Sequence, residues 1–266
     1  MAPTQRPQAF ATVALAVSTL LSGCTFAGDA ESSTTPAPPT PAASAAPTPK
    51  PTVAPPILDV HSVVATGRLV GSDSISGDVD VRVTGKGTFE LRLIDFRSDH
   101  AGDVELRVSP HVVPPGSECT TSIMTMSYGN LPAETQQAFP LPKDFTHGNP
   151  SFLDTVIISH FDPVASQNGC YVPILSSAIL TWTLPDLRPG LVVADTGKTG
   201  GATGDVTFTG TDPLAYTVAR NDLAAEVAAR FGITVSDVFY LNPTRLNGTQ
   251  SLLQTGEVLN LSKAHR

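Results

Sequence analysis

Hydrophobic and polar residues alternate along much of the middle of the chain. Val79-Asp80-Val81-Arg82-Val83 and Phe89-Glu90-Leu91-Arg92-Leu93 each place every second side chain on one apolar face, which is the period of a half-buried β-strand. Thr84-Gly85-Lys86-Gly87 separates the two runs and is typical of a hairpin turn. The pattern predicts a β-hairpin.

Similar short runs recur between residues 57 and 212, with Gly and Pro between them and without a long helical period. A segment of about 150 residues suffices for one domain with its own core. The fold predicted for 57–212 is therefore mainly β, an antiparallel β-sandwich or barrel. The predicted strands are His61 to Val70, Asp78 to Val83, Thr88 to Asp95, Val104 to Val108, Ser122 to Met126, Thr155 to His160, Ala178 to Leu184, and a last hairpin strand at Asp205 to Thr209.

The pattern changes in the last part of the chain. Ala215-Tyr216-Thr217-Val218 favours a short strand, and Leu223 to Phe231 has apolar residues at helical spacing before a glycine. A second helix is predicted after Thr234-Val235-Ser236, where either hydroxyl could cap it, and it should end before Pro243. Glu257 to Leu261 alternates again as a strand does. The predicted order is strand, helix, helix, strand.

This βααβ order and its motifs resemble a LysM domain, a small module that binds N-acetylglucosamine-containing glycans such as peptidoglycan and chitin. The resemblance covers about a fifth of the chain and predicts a small C-terminal LysM-like domain at 213–266. A generic βααβ domain without a sugar site is the alternative. The matching motifs are Tyr216-Thr217-Val218, Val227-Ala228-Ala229-Arg230-Phe231-Gly232, Leu241-Asn242-Pro243 and Gly256-Glu257-Val258-Leu259.

The resemblance also implies a glycan-binding site. In the family, the N-acetyl groups lie in a shallow groove between the first strand–helix loop and the second helix–strand loop. Backbone N–H and C=O groups would make much of the hydrogen bonding, and apolar side chains would face the sugar's methyl groups. The residues at these positions are Arg220, Asn221, Asp222 and Leu223 in the first loop, and Asn242, Thr244 and Leu246 in the second.

The first loop departs from the family's usual Gly-Asp-Thr, because this chain has Asn221-Asp222-Leu223. Asparagine tolerates the left-handed backbone conformation that glycine would supply. Leucine at the third position removes a helix cap worth about 1 kcal/mol. We expect the fold to tolerate this loss, whereas the sugar site depends on the changed loop.

The first 23 residues have the pattern of a signal peptide. Arg6 precedes a short apolar run from Ala9 to Leu21, too short for a bilayer, which takes about 20 apolar residues. The run ends at Leu21-Ser22-Gly23-Cys24, which resembles a bacterial lipobox. In that family the chain is cut before the cysteine, and the cysteine carries the lipid. The resemblance predicts lipidation of Cys24 and a membrane anchor; ordinary secretory cleavage with a free Cys24 is the alternative.

A Pro-, Ala-, Thr- and Ser-rich segment follows the lipobox and fills most of 24–56. Such a composition buries too little apolar surface to offset the entropy of ordering, so we expect a disordered linker. In an extended polyproline conformation of roughly 3.1 Å per residue, about thirty residues reach at most about 90 Å. The linker would hold the folded part well away from the lipid surface.

Three cysteines are present. If lipid modifies Cys24, Cys119 and Cys170 remain in the β domain of an exported protein, and we predict a disulfide between them. Two separate buried thiols are the alternative.

Charge and phosphate-binding motifs give no support for a nucleic-acid or nucleotide partner. The formal net charge is −8, and so acidic a chain repels phosphate. Gly197-Lys198-Thr199 resembles the end of a phosphate loop, but Val192 occupies the place of the first glycine. We predict no nucleic-acid partner.

Candidate catalytic and metal-binding groups are equally sparse. Ser159-His160-Phe161-Asp162 brings a hydroxyl, an imidazole and a carboxylate together in sequence, but adjacent residues of a strand face opposite sides. Asp99, His100 and Asp103 lack the ligand spacing of zinc sites. The sequence therefore predicts no catalytic residue, no metal and no cofactor, which favours a protein that is not an enzyme.

Part of the β domain weakly resembles DM13 domains, extracytoplasmic β domains for which a redox role has been proposed. The likeness covers about forty residues and lacks a nearby cysteine. It leaves the ligand of the β domain open. The matching runs are Thr66-Gly67-Arg68-Leu69-Val70, Gly77-Asp78-Val79, Leu93-Ile94-Asp95-Phe96 and Val104-Glu105-Leu106.

Together these patterns predict a lipid-anchored cell-envelope protein on the outer face of the bacterial cytoplasmic membrane, exposed to the cell wall. Its C-terminal domain would bind peptidoglycan or a related N-acetylglucosamine glycan without catalysis. Two alternatives stay open. One is a cell-wall hydrolase that the LysM-like domain targets to the wall; the other is an envelope adaptor whose β domain binds another protein.

Overall fold

A computed structural model of the chain describes residues 53–71, 74–120, 126–132, 135–245 and 252–266. The predicted signal peptide, Cys24 and most of the predicted linker lie outside these ranges. Within them the strands, numbered in chain order, are β1 (Val63–Arg68), β2 (Val70–Gly71), β3 (Ile75–Gly85), β4 (Thr88–Ser98), β5 (Glu105–Ser109), β6 (Cys119–Thr120), β7 (Met126–Asn130), β8 (Gln137–Leu141), β9 (Thr155–Ser159), β10 (Val172–Ile179), β11 (Thr181–Trp182), β12 (Asp205–Thr209), β13 (Asp212–Thr217) and β14 (Val258–Asn260). The helices are α1 (Lys143–Thr146), α2 (Pro163–Gln167), α3 (Ala224–Arg230) and α4 (Val235–Leu241), and a 3-10 turn follows at Lys263–His265.

Two antiparallel sheets form the larger part of the fold. The first has the strand order β11-β1-β3-β4-β8, and the second has the order β2-β10-β9-β5-β7, with β6 also paired to β10. The predicted hairpin is present as β3 and β4, paired from Ile75 and Ser98 to Gly85 and Thr88. The prediction of a mainly β, antiparallel fold is confirmed.

Both sheets contribute to one hydrophobic core. Val81 and Leu91 from the first sheet, and Leu106 and Ile158 from the second, are fully buried. Along β4 the buried and partly exposed positions alternate from Phe89 to Leu93, as the sequence pattern requires. Burying one face of each sheet against the other is what keeps the strand register, since a one-residue slip would turn the apolar face outward.

At two of the places where the chain passes from one sheet to the other, a single buried leucine makes the connection. The strand predicted from His61 to Val70 is divided at Leu69, because β1 pairs with β3 in the first sheet while β2 pairs with β10 in the second. The run predicted from Ala178 to Leu184 is divided in the same way at Leu180, between β10 and β11. Both leucines are buried in the core, so a continuous apolar pattern conceals a change of sheet.

The Cys119–Cys170 disulfide predicted from the sequence is present, with the two Cα atoms 5.6 Å apart. It adjoins β6, where Cys119 is paired with Pro173 of β10. The Pro-rich segment between the cysteines includes β8, a strand the sequence pattern did not predict, which pairs with β4 through residues such as Phe139 and Leu91.

The last part of the chain forms a third sheet, β12-β13-β14, with α3 and α4 between its last two strands. The predicted order of strand, helix, helix and strand is therefore present. Its residues form a second hydrophobic cluster around Tyr216, Phe231 and Leu259. Ala202 belongs to this cluster and Val193 packs against it, so the C-terminal module, as we call residues 193–266 here, includes residues well before Pro213.

Tyr240 of α4 joins the C-terminal module to the β domain. Asn149 donates a hydrogen bond from Nδ2 to the Tyr240 hydroxyl at 3.1 Å. The guanidinium carbons of Arg188 and Arg266 lie 4.2 and 4.4 Å from the centroid of the Tyr240 ring. Arg266 also donates to the carbonyl oxygens of Tyr240 and Asn149, and to the hydroxyl of Ser151.

Candidate functional site

The first loop of the predicted glycan site connects β13 to α3. Asn221 adopts the left-handed conformation with φ of +68°, as its place in the motif predicts, and its side chain is exposed beside exposed Arg220. Leu223 occupies the N-cap of α3 without a side-chain cap, and 59% of its surface is exposed. An aliphatic side chain thus projects from a loop where a capping hydroxyl would stabilise the helix.

Asp222 is buried in the same loop, with 7% of its surface exposed, and both of its carboxylate oxygens accept hydrogen bonds from the protein. Oδ1 accepts from the amide and the hydroxyl of Thr203 at 2.9 and 3.1 Å. Oδ2 accepts from the Tyr216 hydroxyl at 2.5 Å and from the Ala219 amide at 2.7 Å. Asp222 therefore holds the first loop in shape.

The hydrogen bonds decide the ionisation of this buried pair. Burial alone would raise the pKa of Asp222, but the hydrogen bonds from Tyr216, Thr203 and Ala219 outweigh it and hold the pKa below its ordinary value. Burial, reinforced by the bond to Asp222, raises the pKa of Tyr216 to about 12. Asp222 is thus an anion and Tyr216 a neutral donor at neutral pH.

A Gly- and Thr-rich loop at 196–204, before β12, contacts the first loop of the predicted site. The amide of Leu223 donates to the carbonyl of Gly201 at 2.8 Å, and the amide of Gly204 donates to the Tyr216 hydroxyl at 2.9 Å. A Cβ on Gly201 would lie 2.9 Å from Cγ of Glu226, and φ there is +80°. The close approach and the backbone conformation both require glycine at this position.

Arg230 holds this Gly- and Thr-rich loop from inside the module. Its side chain is almost fully buried, and it forms a bidentate ion pair with Asp195 at 2.7 and 3.0 Å. Nη1 donates to the carbonyl oxygens of Ala202 and Gly204. The hydrogen bonds from Arg230, with a smaller contribution from the Gly197 amide, lower the pKa of Asp195 against the opposing effect of burial. Sequence reasoning placed Arg230 in a motif but did not assign it this role.

The second loop of the predicted site follows α4. Asn242 is buried, donating from Nδ2 to the carbonyl oxygens of Val238 and Asn260 and accepting from the Asn260 amide through Oδ1. Thr244 is exposed. Leu246 lies outside the described residues. Asn242 therefore joins α4 to β14, while Thr244 faces solvent.

Arg245 and Glu257 connect the second loop to the first. The Arg245 guanidinium contacts both carboxylate oxygens of Glu257, and it donates to the carbonyl of Leu252. The carbonyl oxygen of Glu257 accepts from the amide of Val218, the residue that follows β13, at 2.8 Å. Residues at the base of the two loops are thus linked through one ion pair, which the motif comparison did not identify.

The predicted site residues therefore divide into two groups. Arg220, Asn221, Leu223 and Thr244 have exposed side chains that a ligand can reach. Asp222 and Asn242 are occupied with internal hydrogen bonds.

Most of the other candidate catalytic and metal-binding side chains make structural contacts, although the buried Nδ1 atom of His160 has no hydrogen-bond partner among the described residues. Ser159 Oγ accepts from Arg107 Nε at 3.2 Å, and Asp162 caps α2. The rings of His100 and His160 lie 5.1 Å apart. Asp103 accepts from Asn130 Nδ2 at 2.8 Å. In the part of the chain that the structure describes, no group of three or more His, Cys, Asp or Glu side chains is placed to hold a metal ion.

Among the described residues there is also no helix with the length and apolar character needed to cross a membrane. Comparisons with protein-family models, with curated proteins and with solved structures find no match to this chain.

Proposed function

We propose that this protein is a lipid-anchored, non-catalytic component of a bacterial cell envelope that binds peptidoglycan, or a related N-acetylglucosamine glycan, through a LysM-like C-terminal domain. The proposed groove would lie between the loop at 220–223 and residues 242–244. Exposed Arg220, Asn221, Leu223 and Thr244 provide its reachable side chains.

The observation that carries the proposal is the exposure of Leu223 on a rigid loop. Its side chain is 59% exposed, although it begins a helix that a threonine or serine would cap better. Asp222 beside it fixes the loop through four hydrogen bonds. A rigid loop that presents an apolar side chain suits the methyl group of an N-acetyl sugar, because preorganisation lowers the entropic cost of binding.

The amide of Leu223 is bonded to Gly201, so backbone groups elsewhere in the two loops would supply the polar contacts to the sugar. Individual sites of this kind are shallow and weak, so a tether to the surface would matter by raising the effective concentration of glycan. Lipid on Cys24 and an extended linker would provide that tether, with a reach of at most about 90 Å. Mass spectrometry of membrane extracts tests the anchor directly, since the lipid adduct should be absent from Cys24→Ser.

Retention on insoluble peptidoglycan tests the glycan claim. The chain carrying Cys24→Ser, which cannot be lipidated, should sediment with purified peptidoglycan, and N-acetylglucosamine oligomers should release it. Glucose oligomers, which lack the acetyl groups, should not. Leu223→Asp should abolish retention, while Val164→Asp, a matched change at an exposed apolar residue of α2, should leave it intact.

Two results would contradict the proposal. Equal retention of Leu223→Asp and Val164→Asp would remove the groove as the binding site and favour an adaptor whose β domain makes the contacts. Release of soluble fragments from the peptidoglycan would show hydrolysis and exclude a purely binding role.

A further inference from the structure

A cavity of about 550 Å³ lies at the junction of the β domain and the C-terminal module. Its size is within the range of about 300–1,000 Å³ that is typical of small-molecule sites. It is separate from the loops of the proposed glycan groove. It is lined by Pro55, Pro56, Ile57, Leu58, Val60, Gly85, Lys86, Gly87, Lys143, Gly148, Leu187, Arg188 and Tyr240.

The wall of this junction cavity is largely apolar. Val60 is 52% exposed, and Ile57, at 96%, lies at the rim of the cavity, so both branched aliphatic side chains contact water. Leu58 and Leu187 pack against the hydrophobic core behind them. Exposed apolar side chains around a concavity favour a ligand with a hydrocarbon part, because its burial removes apolar surface of both partners from water.

Every charged residue that lines the junction cavity is basic. Lys86 lies in the turn between β3 and β4, and Lys143 begins α1; both are exposed. Arg188 contacts Asp237 and lies over the ring of Tyr240, so the two lysines are the charged lining residues that would meet an acidic head group. The exposed residues Asp59 and Asp144 are next to lining residues in the chain but do not line the cavity. Among the described residues that line the cavity none is acidic, although the chain has a net charge of −8.

Glycine backbone leaves room in the cavity wall beside Lys86. Gly87 and Gly148 approach each other so that a Cβ on Gly148 would lie 3.9 Å from the carbonyl oxygen of Gly87. Both have positive φ, at +68° and +76°, which a side chain would strain. The wall next to Lys86 is therefore free of side-chain bulk.

We propose that the junction cavity binds a single-chain anionic amphiphile, with the hydrocarbon chain against Ile57, Val60 and Leu187 and the acidic head group beside Lys86 and Lys143. Charge complementarity and an apolar wall select this class over a sugar, which would need paired polar groups, and over a cationic amphiphile, which the lysines would repel. The site would add a lipid-like ligand to a protein whose other proposed ligand is a glycan.

Dodecanoate is a suitable probe, because it combines a carboxylate with a flexible hydrocarbon chain. We expect isothermal titration of the Cys24→Ser chain, at concentrations where the probe is monomeric, to give saturable binding with one site. Butyrate, with the same head group and little chain, should bind far more weakly. Dodecyltrimethylammonium, with the same chain and the opposite charge, should also bind more weakly than dodecanoate, and most clearly at low ionic strength.

Two variants assign the binding to this cavity. Val60→Trp fills the cavity from an exposed position and should weaken dodecanoate binding by about tenfold or more, a factor that corresponds to about 1.4 kcal/mol. Lys86→Gln with Lys143→Gln should weaken it by roughly threefold to tenfold, as expected for two exposed charges. Arg68→Gln with Lys198→Gln removes the same charge from exposed residues elsewhere and should have no effect.

Glycan retention of each variant should be unchanged, which keeps this test independent of the proposed groove. Absence of saturable dodecanoate binding would overturn the proposal. It would also be overturned if Val60→Trp bound dodecanoate as tightly as the protein with Val60. The proposal would also be overturned if the protein sedimented with phosphatidylglycerol vesicles but had no dodecanoate site. The basic residues would then contact a bilayer surface, and the cavity would not bind a single amphiphile molecule.

Discussion

Tyr216 donates its phenolic hydrogen to Oδ2 of Asp222 across 2.5 Å, and both side chains are buried beneath the first loop of the C-terminal module. The same hydroxyl accepts from the amide of Gly204, and Oδ1 of the same carboxylate accepts from Thr203. Two loops that are distant from each other in sequence are thus fixed by one carboxylate. Asp222 provides the shape of the groove, and its exposed neighbours provide the contacts.

Asp222→Asn should destabilise the fold by about 2–3 kcal/mol, because hydrogen bonds to a buried charged acceptor are among the stronger ones. In either orientation the new amide nitrogen would face a backbone N–H, that of Ala219 or that of Thr203, so two donors would be in contact. Urea denaturation measures the difference. Asp212→Asn, the same chemical change at an exposed residue of β13, should stay within about 0.5 kcal/mol of the unchanged chain. Equal stability of the two variants would show that the Asp222 carboxylate is dispensable.

The unfolding free energy should fall as the pH is lowered towards 2. The pKa values of Asp195 and Asp222 are below the ordinary aspartate value when the chain is folded. Each carboxylate therefore contributes stability above its unfolded pKa, near 4, and this contribution is lost as the pH falls through the lower folded value. Denaturant titrations between pH 5 and pH 2 should show a shallower decline for Asp222→Asn than for the unchanged chain. Parallel curves would contradict the assignment.

Sequence patterns predicted strands such as β4 because one face is buried and the other is partly exposed, which produces the period of two. They also predicted β9, a mainly apolar run that is buried throughout. They missed β6, all of β7 except Met126, and β10 before Ala178. They did not predict the sheet changes at Leu69 and Leu180, since a residue that crosses the core is as apolar as a residue within a strand. Strand β8 was missed because Pro140 lies within it, and proline is usually depleted in strands. Pairing partners distant in sequence decide such cases.

At the candidate site, local backbone chemistry was predictable. The left-handed conformation of Asn221 and the absence of a cap at Leu223 follow from single residues. Thr234 caps α4 with Asp237 in a capping box, as its hydroxyl suggested. The roles of Arg230 and Arg245 were not predictable, because their partners Asp195 and Glu257 lie far along the chain and no local pattern connects them.

Arg266→Ala should loosen the C-terminal module from the β domain. The Arg266 guanidinium lies 4.4 Å from the Tyr240 ring centroid, and burial lowers its pKa to about 10, so it stays charged at neutral pH. Removing the Arg266 guanidinium leaves the carbonyl oxygen of Asn149 without this hydrogen-bond donor, which should lower the stability of the junction by about 1–3 kcal/mol. We expect one thermal transition in the unchanged chain and two in Arg266→Ala, observed by calorimetry.

The control is His265→Ala, at the exposed neighbouring residue, which should keep one transition. Two transitions in His265→Ala, or a single transition in Arg266→Ala, would contradict the role of Arg266 at the junction.

Replacing both Cys119 and Cys170 with serine should lower the unfolding free energy by about 2–4 kcal/mol. The disulfide joins residues 51 positions apart, and closing a loop of this length restricts the unfolded chain considerably. Reduction of the unchanged chain with dithiothreitol should lower the denaturation midpoint by a similar amount and leave the double variant unaffected. If the double variant unfolded at the same denaturant concentration as the oxidised chain, the disulfide would have no stabilising role.

Leu223→Thr separates stability from glycan binding at one position. Threonine at the N-cap of α3 can accept a hydrogen bond from the helix, so the variant should be more stable by about 1 kcal/mol. It also removes the exposed aliphatic side chain, so binding to N-acetylglucosamine oligomers should weaken by about tenfold, which corresponds to about 1.4 kcal/mol.

Two further variants serve as controls for Leu223→Thr. Leu223→Ala should weaken binding similarly without adding a capping hydroxyl. Val164→Ala, at a residue of comparable exposure in α2, should change neither quantity. Titration calorimetry and urea denaturation on the same four proteins measure both quantities. Binding that rises together with stability in Leu223→Thr would mean that the loop needs rigidity alone, and that the apolar side chain of Leu223 makes no contact with the sugar.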